Sequence, residues 1–312
     1  MAKKRIVMAI GHKDMGTNLP EQKEAVKRTA KVIADFIQDG WQVAIVHSNA
    51  PQVGMIHTAM NEFGKQHHGY SSAPMSVCSA MSQGYIGYDL QNGIRAELIK
   101  RGIYKPVSTV LTQVTVDPYD EAFYTPVKVV GRVMSEEEAK EEEAKGNHVK
   151  AVEGGFRRIV ASPHPVAIVE IDAIKALMDA DQIVIACGGG GIPVVENPDG
   201  TRVGVAAVID KDFAAELLAE QVDADIMMIL TEVEKVAVNW GKPDQRSLDK
   251  MSLKEAARYV EEGQFAPGSM LPKVEACMKF VRQNPQKKAI ITSLDKALEA
   301  LECKTGTVIT FA

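Results

Sequence analysis

Four segments of this chain carry the residue types that phosphate chemistry needs. Gly188, Gly189, Gly190 and Gly191 follow Cys187 at the end of the apolar run 183–186, and Pro193 stiffens the exit. Glycines weaken strands and helices, so such a run suits a place where only bare backbone fits. At the end of a buried strand that place is expected to be a cradle of backbone N–H groups around a phosphate or nucleotide; the competing reading is a flexible linker. Asp210-Lys211-Asp212 opens a predicted helix. There Lys211 can put a point charge on a phosphate oxygen while a carboxylate steadies it or Mg²⁺, or the three charges form a solvated cluster. In the segment 265–273, Ser269 is an expected N-cap and Lys273 falls in the first turns of a helix. A cation there opposes the helix dipole and implies a nearby anion. The segment 230–236, with Leu230, Thr231 and Val233, carries a strand into a loop, which is either a base-binding rim or a plain connection.

The elements that must hold these segments alternate along the chain. Strands are expected at 5–10, 41–47, 107–116, 183–186, 226–230, 289–292 and 307–311. Helices are expected at 20–39, 76–101, 172–181, 212–222, 252–262 and 269–282. Buried apolar strands alternating with amphipathic helices predict an α/β fold: an open, mainly parallel sheet sandwiched between two helical layers. The stretch 117–165 breaks this rhythm. Its charged run 135–146 predicts a short polar helix, with Ser135 and Glu138 as a capping box, Gly146 as the stop, and Glu136/Lys140 and Glu141/Lys145 as i,i+4 pairs. A helix that buries so little predicts a projecting segment, either a solvated excursion or a lid over a cleft.

Composition bounds the partners. The chain has 312 residues, 46% hydrophobic and 25% charged, with a net charge of −5, which fits a globular protein and gives no reason to expect nucleic acid. No apolar run approaches the roughly 18 residues of a membrane span. The apolar stretch after the basic start is too short for a secretory signal. The four cysteines are widely spaced, with no Cys-x-x-Cys, which points to a reducing, cytoplasmic setting. His57, His67 and His68 read as a solvated loop rather than a metal site, and Trp41 and Trp240 as packing residues, Trp240 near the proposed rim.

Together these residues resemble the carbamate kinases of the amino acid kinase superfamily. The resemblance is carried by CGGGGIPVV (187–195), VIDKD (208–212), ILTEVEKVAVNWGKP (229–243), FAPGSMLPK (265–273), MSQGYIGYDLQN (81–92), TQVTVDPYDEAF (112–123) and KTGTVI (304–309). It covers nearly the whole chain. It implies a three-layer α/β/α sandwich forming one domain over 1–312, with an acceptor-binding lobe at about 1–180, a nucleotide-binding lobe at 181–312 and a lid subdomain at 117–165. It also implies a homodimer that transfers phosphate reversibly between carbamoyl phosphate and ADP, giving ATP and carbamate, at the end of arginine, agmatine or purine breakdown.

The resemblance likewise implies roles for single residues. Lys211 and Lys273 would neutralise the transferring phosphate, Asp210 would position the lysines, and Lys128 would reach the acceptor from the lid. Gly11, Gly188–Gly191, Asp212, Leu230, Thr231, Val233, Met270 and Pro272 would line the ATP/ADP site, with Mg²⁺ as cofactor. His12, Lys13, Ser48, Asn49 and Ala50 would face the phosphoryl group and carbamate.

The departures sit in those last loops and in the lid. The family's Gly-Gly-Asn is Gly11-His12-Lys13 here, and its His-Gly-Asn-Gly-Pro-Gln-Val-Gly is 47–54 with Ser48 and Ala50 in place of glycine. In the lid, Lys-Pro-Ile-Gly is Lys128-Val129-Val130-Gly131, Gly-Arg-Gly is Glu153-Gly154-Gly155, and Ser-Pro-Lys-Pro is Ser162-Pro163-His164-Pro165. Three readings follow: a working carbamate kinase, a kinase for another small acidic acceptor, or a nucleotide-binding homologue with weak or no turnover that serves as a partner or regulatory subunit.

Overall fold

The computed structural model describes residues 3–312. Its main sheet has eight strands, in the spatial order Lys250–Ser252, Thr307–Thr310, Lys288–Ser293, Ile226–Thr231, Arg5–Ile10, Gln42–His47, Ile183–Ile185 and Val107–Thr109. All neighbours run parallel except Lys288–Ser293 and Thr307–Thr310, which are antiparallel. The continuous apolar runs arise because both faces are covered. In Arg5–Ile10, Ile6, Met8 and Ile10 enter one core with Val26, Ile33, Leu90 and Ile94 of the helices Leu19–Gln38 and Met75–Lys100. The alternate residues Val7 and Ala9 enter the other core, with Ala215, Leu218, Cys277 and Val281 of the helices Lys211–Gln221 and Met270–Gln283. Three layers result, as the sequence predicts.

Because the central strands are parallel, the loops that follow Ile10, His47, Ile185 and Thr231 all open on one edge of the sheet. That edge is where an α/β sheet places its ligands.

Three local expectations are corrected. The run 107–116 is two strands: Val107–Thr109 closes the main sheet, whereas Gln113–Val116 joins a four-stranded sheet with Ile192–Glu196, Arg202–Gly204 and Pro165–Ile168. The chain turns between them, where the Thr112 hydroxyl accepts a bond from Cys187 N. His57 lies in a helix, Ala50–Gln66, rather than a loop; Pro51 in the first turn suits that start. Lys145 pairs with Glu142, one turn back at i,i+3, rather than with Glu141.

The other features of the charged run match expectation. The Ser135/Glu138 capping box forms, Glu136 and Lys140 pair at 2.8 Å, and the helix Glu136–Ala144 buries only Ala139. This helix packs on an antiparallel three-stranded sheet of Lys128–Met134, Gly155–Val160 and His148–Val152.

Candidate functional site

Two clefts meet at the carboxyl edge of the main sheet. One, of about 610 Å³, runs between Gly11, His12, Lys13, Thr231, Val233, Trp240 and Met270. The other, of about 920 Å³, lies between Asn49, Ala50, Lys128, Gly189, Asp210 and Asp212. Lys211, Lys273, His12 and Ser48 line both. Two reactants seated in the two clefts would therefore meet at the lysines.

Local sequence explains how the lysines get there. Asp210 caps the helix Lys211–Gln221, its Oδ1 accepting from Asp212 N at 2.9 Å, which puts Lys211 in the first turn. Ser269 occupies the N-cap position of Met270–Gln283 but makes no side-chain capping bond, contrary to expectation. Lys273 then falls one turn in. Both ammonium groups converge on Asp212: Lys211 Nζ donates to Oδ1 at 2.5 Å and Lys273 Nζ to Oδ2 at 2.9 Å. Asp212 is buried. Burial alone would push its carboxyl up, but the charges of Lys211 and Lys273 outweigh that and hold it below the usual carboxylate range. Desolvation pulls the Lys211 ammonium down despite Asp212. For Lys273 burial acts in the same sense, and the attraction of Asp212 overcomes it, so its pKa is raised. With both lysines charged, two cations share one carboxylate, and the excess positive charge faces the junction of the clefts.

Asp210 acts on Lys211 and Lys273 through its charge, but its direct bond goes to a third lysine. Its Oδ2 accepts from Lys128 Nζ at 2.5 Å, tying the three-stranded sheet to the start of the Lys211–Gln221 helix. The direct bonds to Lys211 and Lys273 come from Asp212, which the resemblance placed at the nucleotide.

The glycine run is packed against protein rather than open to the larger part of either cleft. Gly190 N donates to Cys187 O and Gly191 N to Gly188 O, so two of the expected anion donors are used internally. A Cβ on Gly189 would lie 2.0 Å from the Asn49 amide, and one on Gly190 would lie 2.1 Å from Ile209 O. Both residues have positive φ, 68° and 99°, where side chains are strained. Of the four glycines only Gly189 lines a cleft, the one that holds Lys128. Bare backbone is needed here so that the loop can nest against Asn49 and Ile209. Leu230 is likewise buried in the core beneath the rim, and Pro272 lines neither cleft.

The remaining predicted residues come together. Ser48 N extends the strand ladder by donating to Ile10 O. Asn49 donates to the Ser82 hydroxyl at 2.7 Å, and Ala50 is exposed at the start of its helix. Lys13 Nζ lies 2.6 Å from Glu232 Oε2, and His12 Nε2 lies 3.6 Å from Glu232 Oε1. Partial burial lowers the His12 pKa, and Lys13, Lys211 and Lys273 add to this while Glu232 opposes it. The imidazole is therefore mainly neutral at neutral pH.

Spacing gives no sign of that Glu232 bridge between two loops, nor of Asp14, whose carboxyl burial pushes up to about 6 against the opposing charge of Arg28. Arg132 and Arg157 also line the cleft of Lys128. Trp240, expected to be a packing residue, is 62% exposed and forms the cleft rim.

The amino acid kinase family model matches residues 4–293. This chain belongs to the amino acid kinase family. The carbamate kinase of Clostridium perfringens is 53% identical over 313 residues, covering 98% of this chain and 99% of that one. The carbamate kinase-like protein YqeA of Escherichia coli is 52% identical over 307 residues, with the same coverage. Among solved structures, carbamate kinase from Giardia lamblia bound to AMP-PNP superposes with a TM-score of 0.92 at 38% identity, covering 99% of each chain. The resemblance read from the sequence, and the α/β sandwich it implied, are confirmed.

Proposed function

We propose that this chain is a carbamate kinase, transferring a phosphoryl group reversibly between carbamoyl phosphate and ADP to give ATP and carbamate. Full-length similarity to carbamate kinases supports the reading. The observation that carries it is the Lys211–Asp212–Lys273 cluster at the junction of the two clefts. Phosphoryl transfer asks little covalent chemistry of a protein; positioning and charge stabilisation supply most of the rate. The nucleotide takes the cleft of Thr231, Val233, Trp240 and Met270, with Trp240 offering an aromatic face to the base. Carbamoyl phosphate takes the cleft of Ser48, Asn49 and Lys128. Lys211 and Lys273 then touch the group in flight from both sides, and their shared carboxylate keeps them aimed without cancelling both charges. Lys128 brings a third cation on the three-stranded sheet, which acts as a lid over an acceptor lobe at about 1–180.

Among the described residues no cluster of three or more His, Cys, Asp or Glu side chains has the arrangement of a metal site. Asp212 is engaged by two lysines. The residues present thus do not form a protein cage for Mg²⁺, and an ion entering with the nucleotide would be carried on its phosphates. The replaced glycines at His12, Ser48 and Ala50 bear on rate, since losing one preorganised donor costs about 10²–10³ in kcat.

Homodimer formation is proposed through the exposed apolar face of Met75–Lys100, which presents Val77, Met81 and Tyr88. Sedimentation equilibrium at twice the monomer mass would support it, and a monomer at all concentrations would oppose it. All four cysteines are free thiols, three of them buried, which suits a reducing cytoplasm. Among the described residues no helix is long and apolar enough to cross a membrane.

The test is coupled detection of ATP from carbamoyl phosphate and ADP. Turnover that disappears in Lys211→Met supports the proposal. Tight ADP binding without turnover would leave a nucleotide-binding homologue, or a kinase with another acceptor.

A further inference from the structure

A third cavity, of about 670 Å³, lies between the helix Ala50–Gln66, the start of Met75–Lys100 and the three-stranded sheet. Four Arg and Lys side chains line it, and three have a carboxylate partner: Lys65 with Glu62, Lys145 with Glu142, and Arg132 with Glu138. Arg158 has no carboxylate within 4 Å among the described residues. Its Nε is buried with no hydrogen-bond partner, and Nη1 reaches only the His57 ring, at 3.4 Å. The acid whose charge acts on it is Glu142, whose two oxygens already accept from Lys145 and Asn147. Arg158 is half-buried, and a buried N–H donor without a partner beside an uncompensated charge is unfavourable unless an acceptor completes the site.

The helix Met75–Lys100 adds a second, independent feature. It begins after Pro74 with no side-chain cap, and its first residues, Met75 and Ser76, line the same cavity. Its N-terminal dipole therefore has the same sign as Arg158.

We propose that this cavity, which adjoins the Lys128 cleft along Gly54, Thr58, Gly131 and Arg132 but does not include Lys211 or Lys273, is an oxyanion-binding site for the phosphate or carboxylate group of a small metabolite, with Arg158 as its principal ligand. The guanidinium supplies a planar pair of donors suited to either oxyanion. Position gives the site a consequence. Arg158 pairs across the sheet with Val130, two residues from Lys128. The strand bearing Lys128 meets Ala50–Gln66 so closely that a Cβ on Gly54 would lie 2.8 Å from Gly131 Cα. An anion held jointly by Arg158 and the Met75–Lys100 helix clamps the small sheet to the main body and fixes Lys128 over Asp210. Its effect on turnover rests on the proposed kinase activity; its binding does not.

The test is calorimetric titration of inorganic phosphate, and separately of citrate, into the full chain saturated with ADP, comparing wild type with Arg158→Gln and Lys128→Met. Binding should survive Lys128→Met and weaken by about 10- to 100-fold in Arg158→Gln. Should Arg158→Gln fail to fold, Arg158→Lys should weaken binding in the same direction. The stronger of the two arms identifies a phosphate or a carboxylate ligand. Neither ion binding, an unchanged isotherm in the Arg158 variant, or loss of all binding in Lys128→Met would overturn the site.

Discussion

Lys128 Nζ lies 2.5 Å from Asp210 Oδ2, although 82 residues separate them. One is on the first strand of the small three-stranded sheet, the other caps the helix that starts with Lys211. This ion pair thus couples the three-stranded sheet to the helix whose first turn carries both Lys211 and its carboxylate partner.

Replacing Lys128 with Met should lower kcat by about 10²–10³, the range for removing one preorganised charge donor. ADP affinity should stay near that of wild type, because Lys128 does not line the Trp240 cleft. Steady-state kinetics and ADP calorimetry on one preparation check both halves.

Asp212→Asn should fold poorly. Its carboxylate is the only acid bonded to the Lys211 and Lys273 side chains among the described residues. Removing one partner of a buried charge cluster costs about 3–5 kcal/mol, since the remaining charge stays desolvated. Urea denaturation should show the lower midpoint, and the Asp210→Asn variant should lose less.

The glycine loop makes a paired prediction. Gly190→Ala combines φ of 99° with a carbonyl oxygen 2.1 Å from the new methyl group, and backbone must move. Gly200→Ala has φ of 81° and nothing within 4 Å, so only the conformational strain of about 1 kcal/mol remains. Thermal unfolding should put Gly190→Ala well below Gly200→Ala.

Asp14 predicts a pH dependence. Its carboxyl is raised to about 6 from an ordinary 3.8, so the folded state binds this proton more tightly than the unfolded state. The stabilisation is fully present below about pH 4 and is lost as pH rises through about 6. Asp14→Asn, which cannot ionise, should be more stable than wild type at about pH 8, and the gap should close below about pH 4. Melting temperatures measured across that range check the sign.

The main sheet was legible because buried parallel strands leave continuous apolar runs, such as Ile6–Ile10, that no other element resembles. Lys211 and Lys273 were legible as residues at helix starts, where Lys273 in particular opposes the dipole unless an anion is near, whereas Lys128 on its strand was reached only through the family resemblance. The close packing of the glycine run was not legible. Its glycines make room for Asn49 and Ile209, contacts that exist only after residues far apart in the chain have packed. The Glu232 bridge and the Asp212 division of labour were hidden for the same reason, since spacing along the chain cannot say which of two neighbouring carboxylates a distant lysine will choose. The helix Ala50–Gln66 escaped because Gly54, His57 and Gly64 dilute its apolar periodicity, and Gly54 itself is required by the close approach of Gly131.

The most direct test of the account follows the phosphoryl group itself by phosphorus NMR, with carbamoyl phosphate and ADP supplied to the purified chain and Mg²⁺ present. The account predicts loss of the carbamoyl phosphate signal matched by growth of the ATP γ-phosphate signal, and no ATP γ-phosphate signal in Lys273→Met. Carbamoyl phosphate decaying only to inorganic phosphate, at the rate seen without protein and with ADP bound, would contradict it.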